Sequence, residues 1–448
     1  MVNIAASPRA RTVFWTVWSV VAAFGTYFCM YGFRKPFSAA GFDPAVNWWG
    51  VDEKSCLVIS QVLGYTCSKF LGIKVVSEMP PHRRALAIVV LIGMAQVALL
   101  LFGFATPNWR PVCLFFNGLP LGMVFGLVLG FLEGRQLTEA LTAGLCVSFI
   151  VADGVMKSVG KGLLNSGVSD YWMPASAGGI FIFPLIIFTL MLSVIPGPTP
   201  ADIAARALRT PYSAMDRWQF LRRFGVGLLP IVVIYLLITI LRSLRGDFAP
   251  ELWQALGVQP NEALFTQTET LVGLVVLLVN GSCALIISNQ AAMKVSLATV
   301  GLGVAIMIGS LAALRLDQLS PFWFIVLVGM GLYLPYVAVH TTILERFIAL
   351  TGERGNLGYL MSIVDAIGYL GYVVVILAKN WSKVNFGPSG PPLAAPSAAD
   401  ILKSSTDRST DLLDFFLWAS GIGAALSAVL LIFVYRYFQS HFQSKLVK

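Results

Sequence analysis

YFCMYGFRKPF, Tyr27 to Phe37, closes an apolar run that begins near Val13 and places two adjacent cations, Arg34 and Lys35, at its end. A charge at the centre of a bilayer costs at least about 2.5–3.5 kcal/mol, so such residues face a cavity or a partner and mark function by default. The alternative is that both side chains snorkel to the headgroups as the helix ends at Pro36. Two observations weigh against it. A basic pair on the outer side opposes the positive-inside rule, and the second half of the chain carries a counterpart. Tyr235 to Phe248, YLLITILRSLRGDF, is another apolar run, ending in Arg242, Arg245 and Asp247. In each stretch a Tyr precedes an Arg by seven residues, Tyr27 to Arg34 and Tyr235 to Arg242. Paired features at corresponding places in two halves point to the binding site of a repeat-built transporter.

Composition sets the class. In 448 residues, 57% are hydrophobic and only 12% charged, and the mean hydropathy is +0.78, which excludes an ordinary soluble globule. The chain reads as an all-α polytopic membrane protein. Its net charge of +9 lies mostly in predicted cytoplasmic loops and is not read as nucleic-acid binding, so the lipid bilayer and a small solute are the expected partners. Cys29, Cys56, Cys67, Cys113, Cys146 and Cys283 fall within or at the ends of apolar segments without CxxC spacing, as small core residues do. Arg9 and Arg11 precede the first apolar run, but no small-residue cleavage site follows it, and a retained first span is expected.

Hydropathy gives about 12 spans of roughly 20 residues. The first six lie near Val13 to Ala40, Cys56 to Val76, Ala85 to Ala105, Val112 to Phe131, Thr142 to Leu164 and Ala177 to Ile195. The second six lie near Val226 to Leu244, Leu264 to Ser288, Val295 to Leu314, Pro321 to Leu344, Leu357 to Ala378 and Phe415 to Tyr435. Residues 1–195 and 226–448 are the expected bundles, joined by a basic linker over 196–225. Arg9, Arg11, Arg83, Arg84, the linker, Lys294, Arg346, Arg354, Arg436, Lys445 and Lys448 fall on one side, which the positive-inside rule makes the cytoplasm. Both termini are then inside, in a cell inner membrane. The Pro- and Ser-rich stretch from Lys379 to Asp407 reads as a loosely packed outer loop. Gly118, Gly122, Gly126, Gly130 and Gly134 line one face of the fourth span, a pattern for close helix packing.

The halves show further likeness. With one gap, Ser148, Ile150, Val151 and Asp153 fall on Ser362, Ile363, Val364 and Asp365, and Glu133 and Arg135 match Glu345 and Arg346. This supports two related bundles about an axis along the membrane normal.

Several charges lie within spans. Lys69 sits too deep to snorkel, whereas Lys74 reaches the cytoplasmic end. Asp153, Lys157 and Lys161 fall on one helical face; Asp153 and Lys157 can neutralise one another, which leaves Lys161 over. Arg242 or Arg245 is expected to pair with Asp247, and which of the two faces the cavity stays open. Glu269 is expected near enough to the outer surface to be solvated, and Asp365 has no partner at its own helical spacing. Cations outnumber carboxylates, so the cavity should attract an anion. Two guanidiniums, one from each half, suit a phosphate or carboxylate, with Tyr27, Tyr31, Tyr65, Tyr333, Tyr336 and His340 as further donors.

Other chemistries find no support. GVMKSVGKG, Gly154 to Gly162, has the wrong spacing for a phosphate loop and lies inside an apolar span. There is no HExxH or GxSxG, and His82, His340 and His441 are far apart, so neither a metal, a cofactor nor an enzymatic activity is expected.

The residues as a set resemble the organophosphate:phosphate antiporter branch of the major facilitator superfamily. YFCMYGFRKPF is similar to its first-helix signature, SKFLG from Ser68 to its second helix, and LRSLRGDFAPELW from Leu241 to its seventh. The resemblance implies two six-helix bundles that exchange a phosphate ester for inorganic phosphate, with Arg34 and Arg242 gripping the phosphate and Lys69 in the cavity. The family's fifth helix offers a His where this chain has Asp153. The expected machine is a monomeric secondary transporter working by alternating access. Arg34, Arg242, Lys69, Lys35, Tyr27, Tyr31, Lys157 and His340 would bind substrate, and Asp153, Asp365, Asp247, Lys161 and Arg245 would couple or gate. A proton-coupled organic-anion symporter and a transporter-like membrane sensor are the alternatives.

Overall fold

A computed structural model describes residues 8–42, 47–48, 51–132, 138–197, 214–283, 285–351, 357–386 and 398–443. The first six spans are α1 (Pro8–Tyr31), α2 (Glu53–Glu78), α3 (Pro81–Phe104), α4 (Arg110–Leu132), α5 (Thr138–Asn165) and α6 (Met173–Ser193). The second six are α7 (Ala214–Asp247), α9 (Glu262–Cys283), α10 (Asn289–Arg315), the continuous pair α11 (Pro321–Ala338) and α12 (Leu344–Thr351), α13 (Leu357–Phe386) and α14 (Ala398–Gln443). A short helix, α8 (Ala249–Ala255), follows α7, and a two-residue hairpin, β1 (Asn47–Trp48) with β2 (Val51–Asp52), precedes α2. Here the face at which α1 begins and α14 ends is the terminal face, and the opposite one is distal.

Nine of the described helical stretches are long and apolar enough to cross a membrane. The three long helices outside that set, α2, α5 and α13, carry Lys69, then Asp153 and Lys157, then Asp365. Their polarity is tolerated because they face protein. α2 packs against α13 and α5 against α9, so each sits on the seam between the halves. Intramembrane charges are expected on such interior faces.

Local chemistry sets the ends. The Asp52 side chain caps α2 by accepting from the Ser55 N–H at 2.9 Å, satisfying one of the orphan donors of the first turn. Proline occupies the first turn of α3, α6 and α11, where no amide hydrogen is missed. The glycine face of α4 packs on α2: a methyl group at Gly118 would lie 2.1 Å from the Gln61 carbonyl oxygen, and one at Gly64 2.1 Å from that of Phe115. Gly134 lies outside the described residues, as do Glu133, Arg135, Arg354, Lys445 and Lys448.

Three sequence expectations are corrected. The first helix stops at Tyr31 rather than running on to Ala40, because the chain turns at Gly32 and re-enters a single 3-10 turn at Pro36–Ala39. α7 begins at Ala214, inside the expected linker, and the rest of that linker over 198–213 lies outside the described residues. The expected outer loop is helical from Ala398, continuous with the last span, while 387–397 lies outside the described residues.

Candidate functional site

Because α1 ends at Tyr31, the following carbonyls lose their helical donors, and buried amides replace them. Gln61 donates to the Arg34 carbonyl at 3.2 Å and to the Asn117 side chain at 2.8 Å. Asn117 donates to the carbonyls of Phe33 and Ala95 at 3.0 and 3.1 Å. The backbone amides of Arg34 and Lys35 both return to the Tyr31 carbonyl, at 3.0 and 2.9 Å. This bracing fixes the turn that carries both cations. α7 reaches the same level differently, running unbroken through Arg242 and Arg245 to Asp247.

Arg34 and Arg242 occupy the centre of the seam and are only 5% and 7% exposed. The Arg34 guanidinium lies 3.9 Å from the Tyr65 ring centre, with the rings of Tyr369 at 5.7 Å and Tyr31 at 5.9 Å. Arg242 lies 4.3 Å from the Tyr336 ring and 5.8 Å from Tyr333, and it donates to the Tyr369 hydroxyl at 3.4 Å. Tyr369 therefore touches both, and its ring stands edge-on to Tyr65 at 5.1 Å. Among the described residues neither guanidinium has a carboxylate partner, and the Nε of each is buried without an acceptor. Cation–π contacts are worth about 2 kcal/mol when desolvated, short of the several kcal/mol needed to bury an ion.

Every other buried cation at the seam is paired. On the distal side Lys35 bonds Asp247 of the second half at 2.6 Å and Asp153 of its own half at 3.2 Å. Lys157 bonds Asp153 one helical turn away, Arg245 bonds Glu269 at 2.8 Å, and Tyr372 donates to Asp247 at 3.0 Å. On the terminal side Lys69 meets Asp365 at 2.9 Å. Asp365 also accepts from the Tyr235 hydroxyl and stands 3.2 Å from Nε2 of His340, which lies 2.6 Å from the same hydroxyl. His340 sits in a π-helical turn, Val339–Ile343, between α11 and α12, a distortion frequent at functional sites. Among the described residues of the seam six cations thus meet four carboxylates, and the two left over are Arg34 and Arg242.

A further layer closes the distal face. Lys54 bonds Glu251 across the halves at 2.5 Å. Ser158 bonds the Glu262 carbonyl and lies 2.7 Å from the Thr266 hydroxyl, and Asn165 donates to the Glu262 carboxylate at 2.8 Å.

One expected pairing and one expected exposure are corrected. Asp247 goes to Lys35, not to Arg242 or Arg245, because Arg245 is occupied by Glu269 and by the Ile325 carbonyl at 3.1 Å. Glu269 is buried and ion-paired rather than solvated, since α5 covers the helix that carries it. Of the remaining residues singled out from sequence, Tyr31 joins the arginine cage, whereas the Tyr27 ring packs on Tyr31, Phe125 and Phe149. Lys161 is half-buried, a turn distal of Lys157, with no ion pair among the described residues. The side chain of Lys74 is outside the described set. Sequence reasoning missed Tyr369, Tyr372, Gln61 and Asn117, and it gave Tyr235 no polar contact. Tyr369 and Tyr372 follow Asp365 by four and seven residues, a helical-face spacing that ties them to a charged position.

A family model matches residues 36–387. The chain belongs to DUF5690, a family of unknown function. The matched span starts directly after Lys35 and contains Lys69, Asp153, Lys157, Arg242, Asp247 and Asp365. Among curated proteins, none matches in sequence. In structure this DUF5690 member is similar to a D-xylose–proton symporter, with a TM-score of 0.60 and 14% identity over 94% of this chain and 97% of the other. It is also similar to a point mutant of the nucleoside transporter NupG, with a TM-score of 0.56 and 13% identity over 95% of this chain and 100% of the other. The fold is therefore the major facilitator fold, two six-helix bundles in a multi-pass membrane protein.

Proposed function

We propose that this protein is a secondary transporter that carries a small organic anion by alternating access, and that its cargo is a phosphate ester exchanged for inorganic phosphate. The observation that carries the reading is the pair of buried guanidiniums left, among the described residues, without carboxylates while each neighbouring cation of the seam has one. A buried ion is stable only when paired and hydrogen-bonded, and the planar forks of two arginines match the oxygens of a phosphate. Arg34 and Arg242 come from different bundles, so a dianion between them is held by both. Its release follows when the bundles part. Cross-half bonds lie on both sides of the arginines, Lys35–Asp247 and Lys54–Glu251 distally and Lys69–Asp365 terminally, so cargo would enter as one of these layers parts, and the basic residues Arg83, Arg84 and Lys294 near the terminal face favour its being cytoplasmic.

The sequence resemblance to organophosphate:phosphate antiporters supports phosphate as the anion. Lys69, bridging to Asp365, and Lys35, bridging to Asp247, would respond to cargo by exchanging partners across the seam. The test is uptake of labelled phosphate into proteoliposomes preloaded with phosphate. Exchange by the wild type, lost in both Arg34→Ala and Arg242→Ala, is expected; full-rate exchange by either variant would remove the assignment.

The Lys69–Asp365–His340 cluster favours a second reading, proton-coupled uptake of an organic anion such as a sugar acid. Uptake driven by a pH gradient and lost in Asp365→Asn, with no phosphate exchange, would select it.

A further inference from the structure

A shallow groove opens between α10, α12 and α14 at the terminal face. Met293, Leu297, Leu350 and Phe438 form its apolar lining, and Gln290, Lys294 and Gln439 its polar one. It lies where α10 begins, at Asn289, and where the apolar stretch of α14 ends, at Ser440. This is the level of the headgroups, where amphipathic aromatics such as Tyr435 gather. Lys294 is exposed and has no ion pair among the described residues, and Arg436, also exposed, follows Tyr435 in sequence. Below the groove the outward stripes of both helices are bare and apolar: Val295, Leu302 and Ile308 on α10, Val429, Ile432 and Phe433 on α14.

From this arrangement we infer a binding site for one anionic phospholipid. The headgroup phosphate sits against Lys294, the glycerol end enters the groove, and the acyl chains run down the bare stripes of α10 and α14. Charge and apolar surface meet at one depth in the order a phospholipid requires. A soluble phosphate compound would find only the lysine and the two amides, and a zwitterionic lipid would gain the apolar wall without the net charge. Basic side chains near a bilayer surface contribute about 1 kcal/mol each toward anionic lipid.

Native mass spectrometry of the purified full chain, titrated with phosphatidylglycerol or phosphatidylcholine, tests the site. One phosphatidylglycerol retained per chain is expected, about fivefold over phosphatidylcholine, with that preference lost in Lys294→Gln and Lys294→Glu and kept in Lys294→Arg. Leu297→Trp, which fills the groove, should release both lipids. Equal retention of the two lipids by the wild type, or an unchanged preference in the Lys294 variants, would overturn the proposal, as would displacement of the bound lipid by glycerol phosphate alone. None of these outcomes depends on what the central arginines carry.

Discussion

Arg242 and Arg245 stand three residues apart on α7, yet their surroundings differ in kind. Arg245 is tied to Glu269 and to the Ile325 carbonyl; among the described residues Arg242 has only aromatic rings and one tyrosine hydroxyl at 3.4 Å. Stability should separate them. Removing one partner of a buried pair strands the other at a cost of about 3–5 kcal/mol, so Arg245→Ala should lower the melting temperature of the detergent-purified protein. Arg242→Ala strands no carboxylate and should leave it unchanged or raise it, while abolishing any stabilisation by added phosphate. The same logic holds for Lys69 and Asp365. Lys69→Ala should be strongly destabilised, and the double variant Lys69→Ala, Asp365→Asn should recover most of the loss. A double variant as unstable as the sum of the singles would mean that the pair is not coupled. At this scale the sequence made the cations legible, since a charge interrupting an apolar run is conspicuous. The Asp153–Lys157 pair was legible too, from its helical spacing, but the partners across the halves were not. Asp247 pairs 212 residues away and Lys69 meets Asp365 at a separation of 296, distances that no helical period encodes. Tyr369 was hidden for another reason: a tyrosine in a membrane helix is commonplace unless its neighbours across the seam are known.

Elements were easier to read than pairings. Twelve spans follow from hydropathy, because a hydrocarbon core imposes the same length on each; their ends follow from local chemistry that hydropathy averages away. Tyr31 ends α1 through a turn braced by Gln61 and Asn117, and α7 and α14 extend well past the apolar stretch into polar sequence. The glycine face of α4 was visible as a four-residue repeat, and its partner proves to be α2, the helix that carries Tyr65 and Lys69. Gly118→Leu is expected to force that contact apart, since even a methyl group would sit 2.1 Å from the Gln61 carbonyl. Overpacking of this kind typically costs about 1–3 kcal/mol. Here the displacement would also move the amide that holds Arg34, so reduced phosphate exchange should accompany the lower melting temperature. A variant that melts earlier but exchanges at full rate would separate the α2–α4 packing from the site.

For the whole molecule the seam matters most. Ser158 of α5 and Thr266 of α9 belong to different halves, and their hydroxyls are 2.7 Å apart at the distal face. Replacing both with cysteine and oxidising should lock this conformation. Under alternating access exchange then stops and returns on reduction, whereas persistent exchange in the cross-linked protein would exclude rocking of the halves at this point. Lys35 suits such a motion because it holds a carboxylate in each half: if the distal face opens it can keep Asp153 while releasing Asp247. The two surplus guanidiniums have a consequence of an electrical kind. A carrier that reorients while empty would move up to two uncompensated charges through the membrane field, against or with about 2.3 kcal/mol per charge for each 100 mV. Filled with a dianion, the same moving body is neutral, so voltage should leave the exchange of one phosphate for another untouched and act only on the return of the unloaded form.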